Sequence, residues 1–170
     1  MKVKIIKLHK NAVIPFKTYN EDFCYDVVAV SEEEVAPNVW KYGLGFALQI
    51  ERGNETLKKD VINSFNRPIW TSIEFDMKRC PLNLSIDFRP RSSICKTGML
   101  LSNCVGTIDE GYTNEISAVF YHVMPNMPRY KVGDRIGQIK IGATFPIEFV
   151  EVDKLSETER GGGSYGSTGA

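Results

Sequence analysis

Short apolar stretches recur along the chain at spacings too brief for helices. Period-two or continuous β-branched and aromatic character marks residues 3–8, 25–30, 45–50, 72–75, 84–88, 115–123, 135–141 and 146–152. Turn formers separate them, among them Gly43, Pro68, Pro90, Gly98, Gly111, Pro125, Gly133 and Gly142. Many short strands between frequent turns predict an all-β sandwich, jelly roll or barrel. A doubly wound α/β fold would need long helices between the strands, and the pattern holds none. One stretch departs from period two. Leu57, Val61, Ile62 and Phe65 fall at i, i+4, i+5 and i+8, one face of a helix. Asn54 stands as its N-cap, Glu55 favours the first turn, and Pro68 stops it. The expectation is one short helix over 55–65, packed on the sheet.

Beyond Leu155 the chain turns hydrophilic, and 160–170 is glycine-rich and cannot build a core. The expected organisation is one β domain over 1–159, interrupted by an insertion at about 51–79, with a C-terminal tail at 160–170. The 21 basic and 21 acidic side chains give a net charge of zero. A stable nucleic-acid binder would carry a basic excess. No apolar run approaches the roughly 18 residues of a membrane span, and the N-terminus lacks a signal-peptide core. A cytoplasmic location is expected, or the interior of a host cell if the source is viral.

Histidine and cysteine narrow the chemistry further. Cys24, Cys80, Cys95 and Cys104 have no CxxC spacing, and the two histidines are His9 and His122. Neither a structural zinc site nor a nucleophile elbow is visible. Carboxylates, hydroxyls, arginines and backbone amides are left to do any chemistry.

Five segments carry those groups. The first is Cys24-Tyr25-Asp26-Val27-Val28, an acid entering an apolar strand. The second is Phe88-Arg89-Pro90-Arg91-Ser92-Ser93-Ile94, where Pro90 ends a strand and Arg91 with two hydroxyls forms a short-range phosphate cradle. The third runs from Leu101 through Asn103, Gly106, Asp109 and Tyr112 to Ile116. It reads as a β-hairpin whose backbone can recognise a base edge. The fourth, Gly133-Asp134-Arg135-Ile136-Gly137-Gln138-Ile139, opens a strand with Arg135 and Gln138 three apart. The fifth is the tail, Arg160-Gly161-Gly162-Gly163-Ser164-Tyr165-Gly166-Ser167-Thr168-Gly169-Ala170. Alone it reads as a disordered linker, and its glycines satisfy GxGxxG without the strand and helix a dinucleotide site needs. An arginine fork, glycine amides and an aromatic ring together suit a flexible lid over a nucleotide polyphosphate.

In this order the five segments resemble the motifs of the trimeric all-β dUTP diphosphatases (dUTPases). The match spans 26–169. Its most specific parts are Pro90-Arg91-Ser92-Ser93, Gly106-Thr107-Ile108-Asp109 and the tail. The resemblance implies a β-clip or jelly-roll fold, a homotrimer with shared sites, and Mg²⁺-dependent hydrolysis of dUTP to dUMP and pyrophosphate. Asp109 matches the carboxylate that orients the attacking water and contacts the sugar 3′-hydroxyl. Tyr112 matches the ring that packs under the sugar. Asn103, Gly106 and Ile108 match the uracil pocket. Arg91, Ser92 and the adjoining Ser93 match the phosphate cradle, and Gln138 the glutamine near the α-phosphate. Asp26 matches an acid that holds metal-bound waters. Arg160 and Thr168 match contacts to the γ-phosphate, Tyr165 the aromatic that covers uracil, and Ser167 in the same tail is a further substrate-binding residue.

The sequence departs from that family at several positions. Tyr165 stands where phenylalanine is usual, Ser164 and Asn114 where glycine is usual, and Gly137 where alanine is usual. The span 51–79 is longer than the usual connection. Two other readings share the pattern in part. A dCTP deaminase shares the fold family and the Arg-Ser-Ser segment, but Asn103, Tyr112 and the complete tail favour the dUTPase. A nucleotide-gated regulatory protein of dUTPase type is the non-enzymatic alternative.

Overall fold

The structure is a computed structural model. It describes residues 1–52, 54–57, 61–62, 68–70, 73–76, 82–159 and 161–163. Its strands are β1 Lys2–Lys7, β2 Tyr25–Val28, β3 Ser31–Ala36, β4 Val39–Gly43 and β5 Phe46–Glu51, then β6 Asn54–Leu57, β7 Val61–Ile62, β8 Pro68–Trp70 and β9 Ile73–Asp76. There follow β10 Asn83–Arg89, β11 Met99–Leu101, β12 Gly106–Asp109, β13 Ser117–His122 and β14 Arg135–Thr144. A 3-10 turn at Ser92–Lys96 is the only helical element among the described residues.

Two four-stranded antiparallel sheets face each other. One has the order β12-β10-β14-β2 and the other β11-β13-β4-β3. The pattern of β10 shows how the sequence dictates this packing. Leu84, Ile86 and Phe88 are buried while Asn83, Ser85, Asp87 and Arg89 face outward, the period-two signature of a one-sided strand. The opposing sheet answers with Tyr42, Met99, Leu101, Ala118 and Phe120, all buried. Phe120 lies at the centre. Its ring meets Phe88 at 6.3 Å, Tyr42 at 5.9 Å and Tyr130 at 5.4 Å, each edge-to-face. That geometry adds to the area burial of the rings.

The predicted helix over 55–65 is not what forms. Residues 54–57 and 61–62 within and beside it are strand. Asn54 pairs with Asp76 and Leu57 with Ile73, so the would-be cap is the first rung of a ladder. Thr56, Val61 and Ile62 are β-branched, a class that loses rotamer freedom in a helix and favours strands, and a few apolar positions at helical spacing did not outweigh that. The predicted strand at 146–152 is also absent. Ile147, Phe149 and Val150 are largely exposed, and among the described residues no strand pairs with them. Conversely β3, with Glu32, Glu33 and Glu34, does not look like a strand. It forms because the Pro37-Asn38 turn, with Asn38 at φ 61°, folds it back onto β4.

One ion pair ties that edge down. Arg129 donates from Nη2 to Glu32 Oε1 at 3.1 Å and stacks 3.5 Å over the Trp40 ring. The Arg129 guanidinium holds the Glu32 carboxyl below its ordinary value. A carboxyl whose pKa is lowered by folding stabilises the protein above the unfolded pKa, about 4.3 for glutamate, and loses that contribution as pH falls through the folded value. Glu32→Gln should therefore lower Tm at pH 7. The gap to wild type should close in scans run at successively lower pH beneath about 4.3.

Gly137 explains one departure noted above. A Cβ there would overlap the Phe88 ring and approach the Arg89 carbonyl to 2.9 Å. Gly137→Ala, which restores the residue usual in the family, should cost about 1–3 kcal/mol in urea denaturation.

Candidate active site

Asp26 is the one charged residue buried among the described side chains, 9% exposed. Its backbone is fixed on both sides. It pairs with Gln138 across the β2–β14 ladder, and it exchanges two hydrogen bonds with Phe16 at 3.2 and 2.7 Å. Its carboxylate lies between two guanidinium groups. Arg91 Nε is 3.1 Å from Oδ1 and Arg135 Nη1 is 3.0 Å from Oδ2. Arg91 arrives because Pro90 ends β10 and the chain turns into the 3-10 element. The Ile94 amide bonds the Arg91 carbonyl at 3.0 Å, and Thr97 Oγ1 bonds the Ile94 carbonyl at 2.8 Å. That turn sets Ser92 and Ser93 just beyond the strand end, Ser92 exposed and Ser93 half-buried.

These groups line an open polar cavity of about 530 Å³, with Asp26, Arg91, Ser92, Arg135 and Gln138 on one side. The loop residues Tyr19, Asp22 and Phe23 form the other. Three predicted segments therefore meet here, the first, second and fourth. Arg135 was noted in the sequence only by its spacing from Gln138, and that spacing was the signal for it. Nothing in the sequence marked Tyr19 or Phe23. The ionised side chains on the wall balance, two arginines against Asp22 and Asp26.

The third segment lies elsewhere on the same sheet. Strand β12 pairs with β10, Gly106 opposite Phe88 and Asp109 opposite Ser85. Gly106 allows a close approach, since a Cβ there would sit a tight 3.3 Å from the Phe88 Cβ. Ile108 packs against the core and pairs with Ile86, on the strand that forms one edge of the sheet. Before the strand, Cys104 takes φ 57° in a tight turn that leaves Asn103 exposed. After it, the Tyr112 amide bonds the Asp109 carbonyl at 3.0 Å. The Tyr112 hydroxyl donates to the Glu115 carbonyl at 2.9 Å, and Glu115 Oε1 accepts from the Gly45 amide at 2.8 Å. Asp109 is exposed, on the outward face with Thr107, Asp87 and Lys140. The Lys140 ammonium, 2.8 Å away, holds the Asp87 carboxyl below its ordinary value, with Ser85 assisting.

The register measures how far apart the two groups are. Gln138 pairs with Arg89 and Asp109 with Ser85, on opposite sides of β10. Four residues along a strand and two ladder spacings across it separate their Cα atoms by roughly 16 Å. Within one chain Asp109 does not share the cavity of Asp26 and Gln138. Arg160, Tyr165, Ser167 and Thr168 lie outside the described residues.

A family model described as dUTPase matches residues 61–169. A deoxyuridine 5'-triphosphate nucleotidohydrolase from Gloeothece citriformis is 31% identical over 170 residues, covering 99% of this chain and 97% of the relative. The protein of the same name from Helicobacter pylori is 30% identical over 171 residues, with the same coverage. Among solved structures, the dUTPase of Staphylococcus bacteriophage 80alpha superposes with a TM-score of 0.69 at 19% identity, covering 99% of each chain. The dUTPase of phage phi11 gives 0.62 at 14% identity, covering 93% of this chain and all of its own. With the match extending over nearly its full length, the chain belongs to the dUTPase family.

Proposed function

We propose that this protein hydrolyses dUTP to dUMP and pyrophosphate, in sites completed between copies of the chain. The observation that carries the shared-site reading is the separation just measured. Gln138, which lines the polar cavity with Asp26, Arg91 and Ser92, has its Cα roughly 16 Å from that of Asp109. A carboxylate cannot orient water at a phosphorus held that far away. In a homotrimer, the cradle of one subunit meets the hairpin of a second and the tail of a third. Two further features support association. Phe145, Ile147, Phe149, Val150 and Leu155 are exposed along the C-terminal arm. An apolar groove lined by Val3, Ile5, Ile14, Leu48 and Ile141 lies uncovered on the sheet. Exposed apolar surface of this kind calls for a partner.

In this reading the α-phosphate rests against Ser92 and Gln138, with Arg91 and Ser93 behind the bridge. Asp109 of the neighbouring subunit holds a water in line with the α-phosphorus and accepts its proton as the phosphoanhydride breaks and pyrophosphate leaves. Tyr112, its ring fixed by the bond to Glu115, walls the sugar and leaves no room for a 2′-hydroxyl. Asn103 and the backbone of Gly106 and Ile108 take the uracil edge. Arg160, Ser167 and Thr168 close on the γ-phosphate, and Tyr165 covers the base.

The balanced cavity wall bears on the cofactor. Two arginines and two aspartates leave no net positive charge for a triphosphate, so its countercharge comes with the substrate and the tail. Among the described residues no cluster of three or more His, Cys, Asp or Glu forms a metal cage. Asp26, a buried carboxylate lining the cavity, would hold Mg²⁺ through water, since Mg²⁺ keeps several waters. When bound, Mg²⁺ would supply charge neutralisation on the phosphate oxygens.

Pyrophosphate release assayed with dUTP, dCTP and UTP tests the activity, and turnover of dUTP alone is expected. Asp109→Asn should lower kcat by about 10²- to 10⁴-fold and leave binding of a non-hydrolysable dUTP analogue nearly unchanged. Near-normal kcat would sink the assigned role.

Co-expressing Asp109→Asn with Gln138→Ala chains tests the sharing. Each variant alone should be nearly inactive. A random mixture should recover turnover at roughly one site in four, those that join an intact cradle to an intact hairpin. No recovery in verified mixed trimers would place both groups in one subunit.

Removing 160–170 should weaken binding of the triphosphate analogue more than binding of dUMP, because the lid reads the γ-phosphate. Calorimetric titration of both ligands measures this, and equal losses would contradict it.

A further inference from the structure

Arg52 stands at the entrance of the insertion and Leu82 just past its exit. Between them β6 and β9 pair as a stem, with Asn54 opposite Asp76 at the base. The Arg52 guanidinium bridges both ends of that stem and one element more. Nη2 donates to the Leu82 carbonyl at 2.8 Å, closing the neck. Nε and Nη2 donate to the two carboxylate oxygens of Glu110 at 2.7 and 2.6 Å. Glu110 directly follows Asp109, at the point where β12 ends and the turn to Tyr112 begins.

We infer that Arg52 and Glu110 are positioning residues for Asp109, and that the neck of the insertion is thereby part of the catalytic apparatus. This rests on the proposed role of Asp109. The geometry has the properties such a role needs. A bidentate arginine–carboxylate pair fixes direction as well as distance, where a single contact would leave the hairpin free to pivot. The pair is half-buried, its side chains 25% and 31% exposed, so water competes with it less than at an open surface. The Arg52 fork holds the Glu110 carboxyl below its ordinary value, and the Leu84 amide contributes in the same direction. Glu110 is thus tied to the neck by both of its carboxylate oxygens. Asp109 itself is exposed, so its direction is set by the backbone that carries it. A shift of about 1 Å in a reacting geometry costs as much as a hundredfold in rate. Loosening the residue beside Asp109 therefore reaches the chemistry, although neither Arg52 nor Glu110 touches substrate.

The experiment is steady-state kinetics with dUTP on full-length Arg52→Met, Arg52→Lys, Glu110→Gln and the Arg52→Met/Glu110→Gln double variant, alongside thermal unfolding and sizing. Arg52→Met should lower kcat about tenfold or more with KM within about twofold of wild type. Lysine keeps the charge without the fork and should recover only part of the loss. The double variant should be no slower than the worse single variant, since both remove one interaction. Wild-type kcat in folded Arg52→Met would overturn the inference, as would full rescue by lysine or strictly multiplicative losses. If Arg52→Met does not fold, the milder Arg52→Lys and Glu110→Gln carry the test, and normal kcat in both would overturn it. A wild-type protein that failed to turn over dUTP would instead refute the proposed function.

Discussion

The ring of Phe88 is the contact on which the site's geometry depends. It is the last core residue of β10, and it meets Phe120 of the opposing sheet edge-to-face. Gly106 faces it across the β12 ladder, Ile139 pairs with it from β14, and Gly137, two residues along β14, leaves the room its ring occupies. Once the ring is seated, the end of β10 is fixed. Arg89, Pro90 and Arg91 then leave the sheet at one place and in one direction. Glycine at 137 is therefore tied to this ring. Loss of the Phe88 side chain would cost the protein about 3–5 kcal/mol in core packing. It would also release the strand end that carries the phosphate cradle.

At that strand end the electrostatics are organised around a single buried carboxylate. An aspartate out of water is costly unless it is paired and hydrogen-bonded. Asp26 meets the condition with two arginines from two different segments. The pairing orients Arg91 and Arg135 while it consumes much of their charge. The cavity is therefore pre-organised rather than strongly cationic. A wall of that kind suits a ligand that brings its own cation.

The sequence disclosed what depends on local pattern. The alternation in β10 and the short apolar runs of β2, β5, β13 and β14 were legible because each buries one face or two, and β1 was legible by its pattern although only Ile5 is half-buried. Asp26, Arg91, Ser92 and Gln138 were legible as motif residues, and the fold brings them to one cavity. What failed depended on partners. Residues 54–57 and 61–62 were read as helix from their spacing, but ladders with β8 and β9 decided the outcome. Residues 146–152 alternate like a strand, but among the described residues none pairs with them. The acidic run of β3 hides a strand that exists only through its turn onto β4. No local pattern announces that Arg52 reaches a residue 58 positions away.

That long-range contact alters how the insertion is to be understood. A segment attached only by its two ends would be free to vary without consequence for the rest of the molecule. Here the neck is closed by the same guanidinium that grips the hairpin, so three pieces of chain share one side chain's donors. Any change in the separation of the stem's ends must either break the Leu82 bond or draw Arg52 with it. If Arg52 moves, the Glu110 carboxylate must follow or lose both of its bonds to the fork. The least costly response is for the hairpin end to move too, because charge-assisted bonds in a half-buried setting outweigh a small displacement of an exposed turn. A surface appendage of this kind is thus coupled to an exposed aspartate through a chain of short, directional contacts. The stiffness of that coupling is set by the geometry of one arginine.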